Sequence, residues 1–225
     1  MTENILQISS LQKHFPARTG KDIPVLRKLS LTLRPGDFVA LRGPSGCGKT
    51  TLLLCAGALS RPTAGSVLID NCDPYALSPT ARSAFRATHV GFVFQNFHLI
   101  PYLSVLDNII LCGLTAAPKP ALTTRALGML DKLGLSHRLR HRPAELSTGE
   151  QQRVALVRAL AGGAKLILAD EPTGNLDPAN SRILLDTLAD IANQGGAVLM
   201  VTHEPAACDR ALTRLDMLDG CLHSC

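Results

Sequence analysis

The sequence predicts an α/β fold with a mainly parallel sheet, and three observations carry that prediction. Four short apolar runs each end in polar residues. Segments of helical periodicity lie between runs. One long stretch, residues 96–160, has no strand-like run and interrupts the alternation. Continuous apolar runs of this length suit strands buried on both faces, as in a parallel sheet covered by helices.

The elements follow in order. Residues 1–36 read as strand-rich, with turn signals at Arg18-Thr19-Gly20 and Arg34-Pro35-Gly36, so an antiparallel β subdomain is expected at the N-terminus. The first apolar run, Asp37 to Leu41, leads into Gly43. The segment Thr51 to Leu59 is apolar nearly all round, as a buried helix should be. Val90 to Phe94 runs into Gln95. Residues 96–160 are then expected to form an inserted α-helical subdomain. Within it, Ala116-Ala117-Pro118-Lys119-Pro120 reads as a flexible connector. Thr123 to Leu133 reads as a helix with Ala126, Met129, Leu130 and Leu133 on one face, Thr123 or Thr124 as cap and Gly134 as stop. Residues 150–161 read as another helix. Leu166 to Ala169 leads to Asp170 and Glu171, and Ala197 to Val201 leads to Thr202 and His203. The expected organisation is one domain, 1–225, with residues 1–95 and 161–225 as the α/β core and 96–160 as the helical part.

In open α/β sheets, ligands sit at the carboxyl ends of the strands. If the four runs are parallel neighbours, Lys49, Gln95, Asp170, Glu171 and His203 all point into one crevice.

Composition narrows the partners. The chain has 225 residues, 46% apolar and 18% charged, enough to bury a sizeable core. Its net charge of +5 is spread along the chain, with no basic run of the kind that forms a nucleic-acid arm. The opening residues lack the pattern of a secretory signal, and no run of 18 uncharged apolar residues occurs, so no membrane span is expected. None of the seven cysteines forms a C-x-x-C pair, so neither zinc nor a disulfide scaffold is expected, and the thiols read as reduced.

Gly43-Pro44-Ser45-Gly46-Cys47-Gly48-Lys49-Thr50 fits G-x-x-x-x-G-K-[ST]. Glycines let successive N–H groups turn round a phosphate, and the helix that follows offers its positive N-terminus to the same anion. Lys49 is expected to reach the β- and γ-phosphates, and the Thr50 hydroxyl to ligate magnesium. A buried strand before the loop and an apolar helix after it supply the right context, so the core is expected to be a P-loop NTPase core. The expected nucleotide-binding set is Gly43, Pro44, Ser45, Gly46, Cys47, Gly48, Lys49, Thr50 and Thr51, with a nucleotide and Mg2+ as ligands. Cys47 reads as a small space-filler whose alkylation would block nucleotide binding.

Leu146-Ser147-Thr148-Gly149-Glu150-Gln151-Gln152-Arg153 is a second anion-binding helix start. Ser147 followed three positions later by Glu150 is a capping box. This string resembles the L-S-G-G-Q signature of the ATP-binding cassette (ABC) ATPases, and the likeness extends over nearly the whole chain. The resemblance implies that two chains sandwich two ATP molecules head to tail, with Ser147, Thr148, Gly149, Glu150 and Asp177 acting in trans on the partner's ATP. Thr148 departs from the family, which usually has glycine there. If that position needs φ above zero, a β-branched residue would be strained by about 1–3 kcal/mol and closure weakened.

The same resemblance implies roles along Ala169-Asp170-Glu171-Pro172-Thr173-Gly174-Asn175-Leu176-Asp177. Asp170 would hold magnesium, Glu171 would be the general base, and Asn175 to Asp177 would couple the two sites. Gln95 would sense magnesium, His203 would contact the γ-phosphate, and Phe15 would stack on adenine. Lys49, Gln95, Glu171 and His203 form the implied catalytic group, and Thr50, Gln95 and Asp170 the metal group.

Five of the eight aromatic residues, Phe85, Phe92, Phe94, Phe97 and Tyr102, lie between 85 and 102. Phe92 and Phe94 read as core; Phe97 and Tyr102 could line a groove for a membrane subunit's helix. The likeness is greatest to the lipoprotein-release and macrolide-export branch. It implies an ATPase subunit, peripheral on the cytoplasmic face of the cell membrane, that drives a separate integral membrane permease. Two other readings compete. One is a regulatory module that signals through a membrane partner to an envelope enzyme without transport. The other is a soluble cassette acting on DNA or ribosomes, which the lack of coiled-coil insertions, zinc modules or a second cassette disfavours.

Overall fold

The structure is a computed structural model that describes residues 4–17, 20, 22–115 and 117–224. The expected turn at Arg18-Thr19 and the first connector residue, Ala116, lie outside the described residues.

In chain order the elements are β1 (Leu6–Phe15), β2 (Ile23–Leu33), β3 (Phe38–Arg42), α1 (Lys49–Ala56), β4 (Ala64–Ile69), α2 (Pro79–His89), β5 (Val90–Phe94) and α3 (Val105–Gly113). Then come α4 (Lys119–Lys132), α5 (Thr148–Ala161), β6 (Leu166–Asp170), α6 (Pro178–Asn193), β7 (Ala197–Val201), α7 (Pro205–Cys208), β8 (Thr213–Leu218) and β9 (Cys221–Ser224).

The strands form two sheets. One is antiparallel, in the order β2-β1-β4. The other has the order β5-β6-β7-β3-β8-β9, parallel throughout except for β9, which pairs antiparallel with β8. The four apolar runs are therefore adjacent parallel strands. The antiparallel sheet is not wholly N-terminal, because β4 joins it after α1.

Alternate residues of the central strands serve two separate cores. Val39, Leu41, Leu166, Leu168, Leu199 and Val201 face Leu52 and Leu53 of α1 and the antiparallel sheet. Phe38, Ala40, Ile167, Ala169, Val198 and Met200 face Leu184, Leu185 and Leu188 of α6. Period-2 side chains with apolar layers on both faces explain why the runs are continuous and not alternating. A third cluster joins α3, α4 and α5 through Ile109, Leu130 and Val154. No helix among the described residues is long and apolar enough to cross a membrane.

Helix boundaries differ from the sequence reading; α5, for one, begins at Thr148 and not at residue 150. α4 begins at Lys119 after Pro118, inside the expected connector. Proline suits a first helical turn, whose N–H groups have no intrahelical partner. Thr123 and Thr124 are not caps; their hydroxyls donate to the carbonyls of Lys119 and Pro120 within the helix. The expected stop stands, with Gly134 at φ 70° just past the helix end. α1 ends at Ala56 and does not run on to Leu59.

Candidate functional site

β3 ends at Arg42 and the chain turns through residues 43–48 into α1. Gly48 stands at φ 108°, and a side chain there would bring its Cβ to 2.9 Å from the Val25 carbonyl oxygen. Only glycine meets both conditions. No side chain caps α1, so its N-terminal N–H groups are left for another acceptor.

The Lys49 ammonium is held over this loop. It donates to the carbonyls of Gly43 at 2.7 Å and Pro44 at 2.8 Å, and lies 3.8 Å from Cys47 Sγ. Cys47 is buried. The next residue, Thr50, donates its hydroxyl to Asp170 Oδ2 at 2.8 Å. Burial pushes the Asp170 carboxyl up; the Thr50 hydrogen bond opposes the rise and Glu171 adds to it.

Parallel register sets Glu171 and His203 side by side, though His203 is not in the lining of the cleft that holds Glu171. Asp170 at the end of β6 pairs with Val201 at the end of β7, and the Glu171 N–H donates to the Val201 carbonyl at 2.9 Å. Glu171 adopts φ 45°, a left-handed conformation that costs a non-glycine residue energy. His203, two residues past β7, places Nδ1 2.9 Å from Glu171 Oε1 and donates its backbone N–H to Oε2 at 3.3 Å. The Glu171 hydrogen bond and charge hold the His203 imidazole above its ordinary pKa.

Lys49, Thr50, Asp170 and Glu171 line one cleft of about 410 Å³, with Ser45 and Gly46 from the loop and Val25 from β2. The cleft sets an ammonium, a hydroxyl and two carboxylates beside an uncapped helix start. The paired oxygens of Thr50 and Asp170 are the donor types that magnesium takes, so the residues fit that ion.

Other expected residues lie elsewhere. Gln95 is not in the lining of this cleft; its amide packs against Gly174, and its carbonyl accepts from Asn175 Nδ2 at 3.1 Å. Phe15 is a surface ring, 41% exposed, with the Lys13 ammonium 5.0 Å from its centroid. Ser147, Thr148, Gly149, Glu150 and Asp177 are all absent from the cleft lining.

Ser147 caps α5 in a full capping box: Glu150 N–H donates to Ser147 Oγ at 3.3 Å, and Ser147 N–H to Glu150 Oε2 at 2.8 Å. Thr148 is the first helical residue and has no positive φ, so the strain considered above does not arise. Gly149 is buried against Asn180, whose side-chain atoms would lie 2.5 Å from an added Cβ. Asn180 bonds to both Arg153 of α5 and Asp177, and Asp177 caps α6 through the N–H groups of Ala179 and Asn180.

The aromatic groove also differs in detail. A cleft of about 490 Å³ between β5, α2, α3 and α5 is lined by Phe92 and Phe94, which read as core, and not by Phe97 or Tyr102. Phe94 stacks on Phe92 at 5.4 Å. Tyr102 is 72% exposed. Arg158 of α5 donates to the carbonyls of Phe97 and His98 at 2.7 and 2.6 Å.

Sequence reasoning missed Arg138, Asn180, Arg158 and Gln152. The last is buried in α5 and donates to the Pro172 carbonyl at 2.7 Å, beside Glu171. Gln152 and Arg153 were visible in the signature string; the other three belong to no motif.

A family model described as "ABC transporter" matches residues 26–174. The chain is 42% identical over 220 residues to the lipoprotein-releasing system ATP-binding protein LolD 1 of Rhodopirellula baltica, covering 97% of this chain and 96% of that protein. It is 47% identical over 206 residues to LolD 2 of Caulobacter vibrioides, covering 90% of each. It is 40% identical to the macrolide export ATP-binding/permease protein MacB of Rhodopseudomonas palustris, of which it spans 34%. Among solved structures, the dimeric ATP-binding cassette MJ0796 in a post-hydrolysis state with ADP and Pi superposes with TM-score 0.86 at 31% identity, covering 97% of this chain and 98% of that one.

Proposed function

The chain belongs to the ABC transporter family, and on that premise we propose that it is the ATP-binding and ATP-hydrolysing subunit that drives a separate integral membrane permease, in export or lipoprotein release. One observation carries the reading: Lys49, Thr50, Asp170 and Glu171 meet in one cleft beneath an uncapped helix start.

ATP is the substrate. The loop N–H groups and the start of α1 bind its phosphates, and Lys49 exchanges its loop carbonyls for β- and γ-phosphate oxygens. Thr50 and Asp170 would hold magnesium, which would supply charge neutralisation to the phosphates. Glu171 orients the attacking water and accepts its proton. His203 keeps the Glu171 carboxylate aimed and reaches towards the γ-phosphate. Gln95, tied to Asn175, joins the cleft to the helical part, residues 96–160. Phe15 offers a ring for adenine.

The signature residues lie outside their own chain's cleft, which supports the head-to-tail pairing in which Ser147, Thr148 and Gly149 complete a second copy's site. Asp177 then faces the partner across the same junction. The cleft lined by Phe92 and Phe94, with Arg86 and Arg158 at its walls, would seat a permease helix, which supports a position on the cytoplasmic face of the cell membrane. Solved relatives described as dimeric, one holding ADP and Pi, support the pairing.

The test is light scattering of Glu171→Gln with and without Mg-ATP, beside an ATPase assay of the unmodified chain. An ATP-dependent shift from monomer to dimer and turnover in the unmodified chain are expected. A monomer at saturating ATP would overturn the pairing.

A further inference from the structure

The proposed anion site at the start of α5 contains its own contradiction. Glu150 sits at the third helical position, and both its carboxylate oxygens are engaged there. A carboxylate in the first turn favours the helix dipole and completes the capping box. The same charge repels a phosphate approaching that helix start.

Arg138 resolves the conflict. It lies in a 3₁₀ turn, residues 136–138, twelve positions before Glu150 and outside every motif. Its Nε donates to Glu150 Oε1 at 2.8 Å. The Glu150 side chain is only 12% exposed and that of Arg138 30%, so water screens the pair weakly. Burial works to raise the Glu150 carboxyl, but the hydrogen bonds from Ser147 and Arg138 outweigh it and keep the group ionised. The arginine Nη1 lies 3.2 Å from His141 Nε2, which fixes the guanidinium from its other edge.

We propose that Arg138 is a positioning residue for the ATP-bound dimer: it neutralises Glu150 so that the helix start at Ser147 can receive the phosphate of a nucleotide held by a second copy. Arg138 does not touch the nucleotide. This rests on the reading of Ser147–Gly149 as a site that acts in trans.

The experiment is a double-mutant cycle in the Glu171→Gln background, with dimerisation by Mg-ATP read by light scattering. The variants are Arg138→Gln, Glu150→Gln and both together. Binding of a fluorescent ATP analogue to dilute monomer and the melting temperature are measured for each. Arg138→Gln is expected to need at least ten times more protein for half-dimerisation, with monomer nucleotide affinity held within twofold. The Arg138→Gln change is expected to have little effect once Glu150 is glutamine. Equal losses from Arg138→Gln with either residue at 150, or no loss at all, would overturn the proposal. So would a parallel fall in monomer affinity, the mark of a general structural defect. If Arg138→Gln alone does not fold, the double variant decides. Dimerisation at the level of Glu150→Gln supports neutralisation, and a folded double variant that dimerises poorly overturns it. Failure of the Glu171→Gln parent to dimerise would instead sink the trans reading itself.

Discussion

His203 Nδ1 lies 2.9 Å from Glu171 Oε1, and the two residues stand just past the ends of adjacent parallel strands. The histidine is mostly exposed, and its backbone N–H holds the other carboxylate oxygen. A carboxylate held at both oxygens has little freedom to swing. Its left-handed φ of 45° shows that the surrounding backbone, and not its own preference, sets its aim.

This pair predicts a pH signature. The Glu171 hydrogen bond and charge raise the His203 pKa above the ordinary 6.5. The attraction between charged partners is therefore fully present below that value, and is lost as pH rises through the higher folded-state pKa. Titrating the imidazole by NMR should give an elevated pKa in the unmodified chain and a value near the ordinary one in Glu171→Gln. An unchanged pKa between the two would show that the contact is not maintained in solution.

Glu171→Gln also tests the chemistry. The amide keeps the shape and one acceptor but cannot take a proton. ATP binding should persist while turnover falls at least ~10²-fold, the low end for loss of a general base. Steady-state turnover and nucleotide binding on one preparation separate the two effects; near-normal turnover would remove Glu171 from that role.

Gly48→Ala tests the loop. At φ 108° with a carbonyl 2.9 Å from the new Cβ, alanine has neither the backbone freedom nor the room. A cost of about 1–3 kcal/mol in the loop conformation is expected. Thermal melting should show a modest loss of stability, and the stabilising shift normally produced by Mg-ATP should vanish. A retained nucleotide shift would mean the loop can bind in another conformation.

Much of this was legible in the sequence because the chemistry and the topology share residues. Apolar runs that end in Asp170-Glu171 or lead to His203 announce both a buried strand and the functional group at its carboxyl end. Gly48-Lys49-Thr50 marks a strand-to-helix turn and the proposed phosphate site together. Where signals were ambiguous, the reading failed. Pro118 and Pro120 look like a linker, yet proline also begins helices, and α4 starts at Lys119. Thr148 would be strained only at positive φ, and in the fold it is an ordinary first-turn residue. Phe92 and Phe94 are half-buried, and hydrophobicity alone did not show that their open faces line a cleft. Arg138 carries no pattern at all, since only the 3₁₀ turn brings it to Glu150.

The Thr148 finding gives a prediction with a definite direction. If strain limited dimer closure, Thr148→Gly would relieve it and tighten ATP-dependent dimerisation in the Glu171→Gln background. With helical backbone at that position, no tightening is expected. Glycine should instead cost a few tenths of a kcal/mol, the approximate difference in helix propensity between the two residues. Dimerisation isotherms that moved to lower protein concentration would reinstate the strain.

Cys47 supplies the last prediction. Its sulfur is buried beneath the loop, 3.8 Å from Lys49 Nζ, with a Cβ at Gly43 excluded to 2.9 Å from the same atom. There is no room for a maleimide adduct with the loop in this conformation, so a modified loop must open. Alkylation is therefore expected to abolish ATP binding, and bound Mg-ATP to slow alkylation by holding the loop closed. Peptide mapping by mass spectrometry, with and without nucleotide, would follow Cys47 against the exposed Cys112 as an internal standard. Protection of Cys47 alone is the expected result. Equal labelling of both thiols with ATP present, or full nucleotide binding after complete modification of Cys47, would show that the loop tolerates an open form while it holds phosphate.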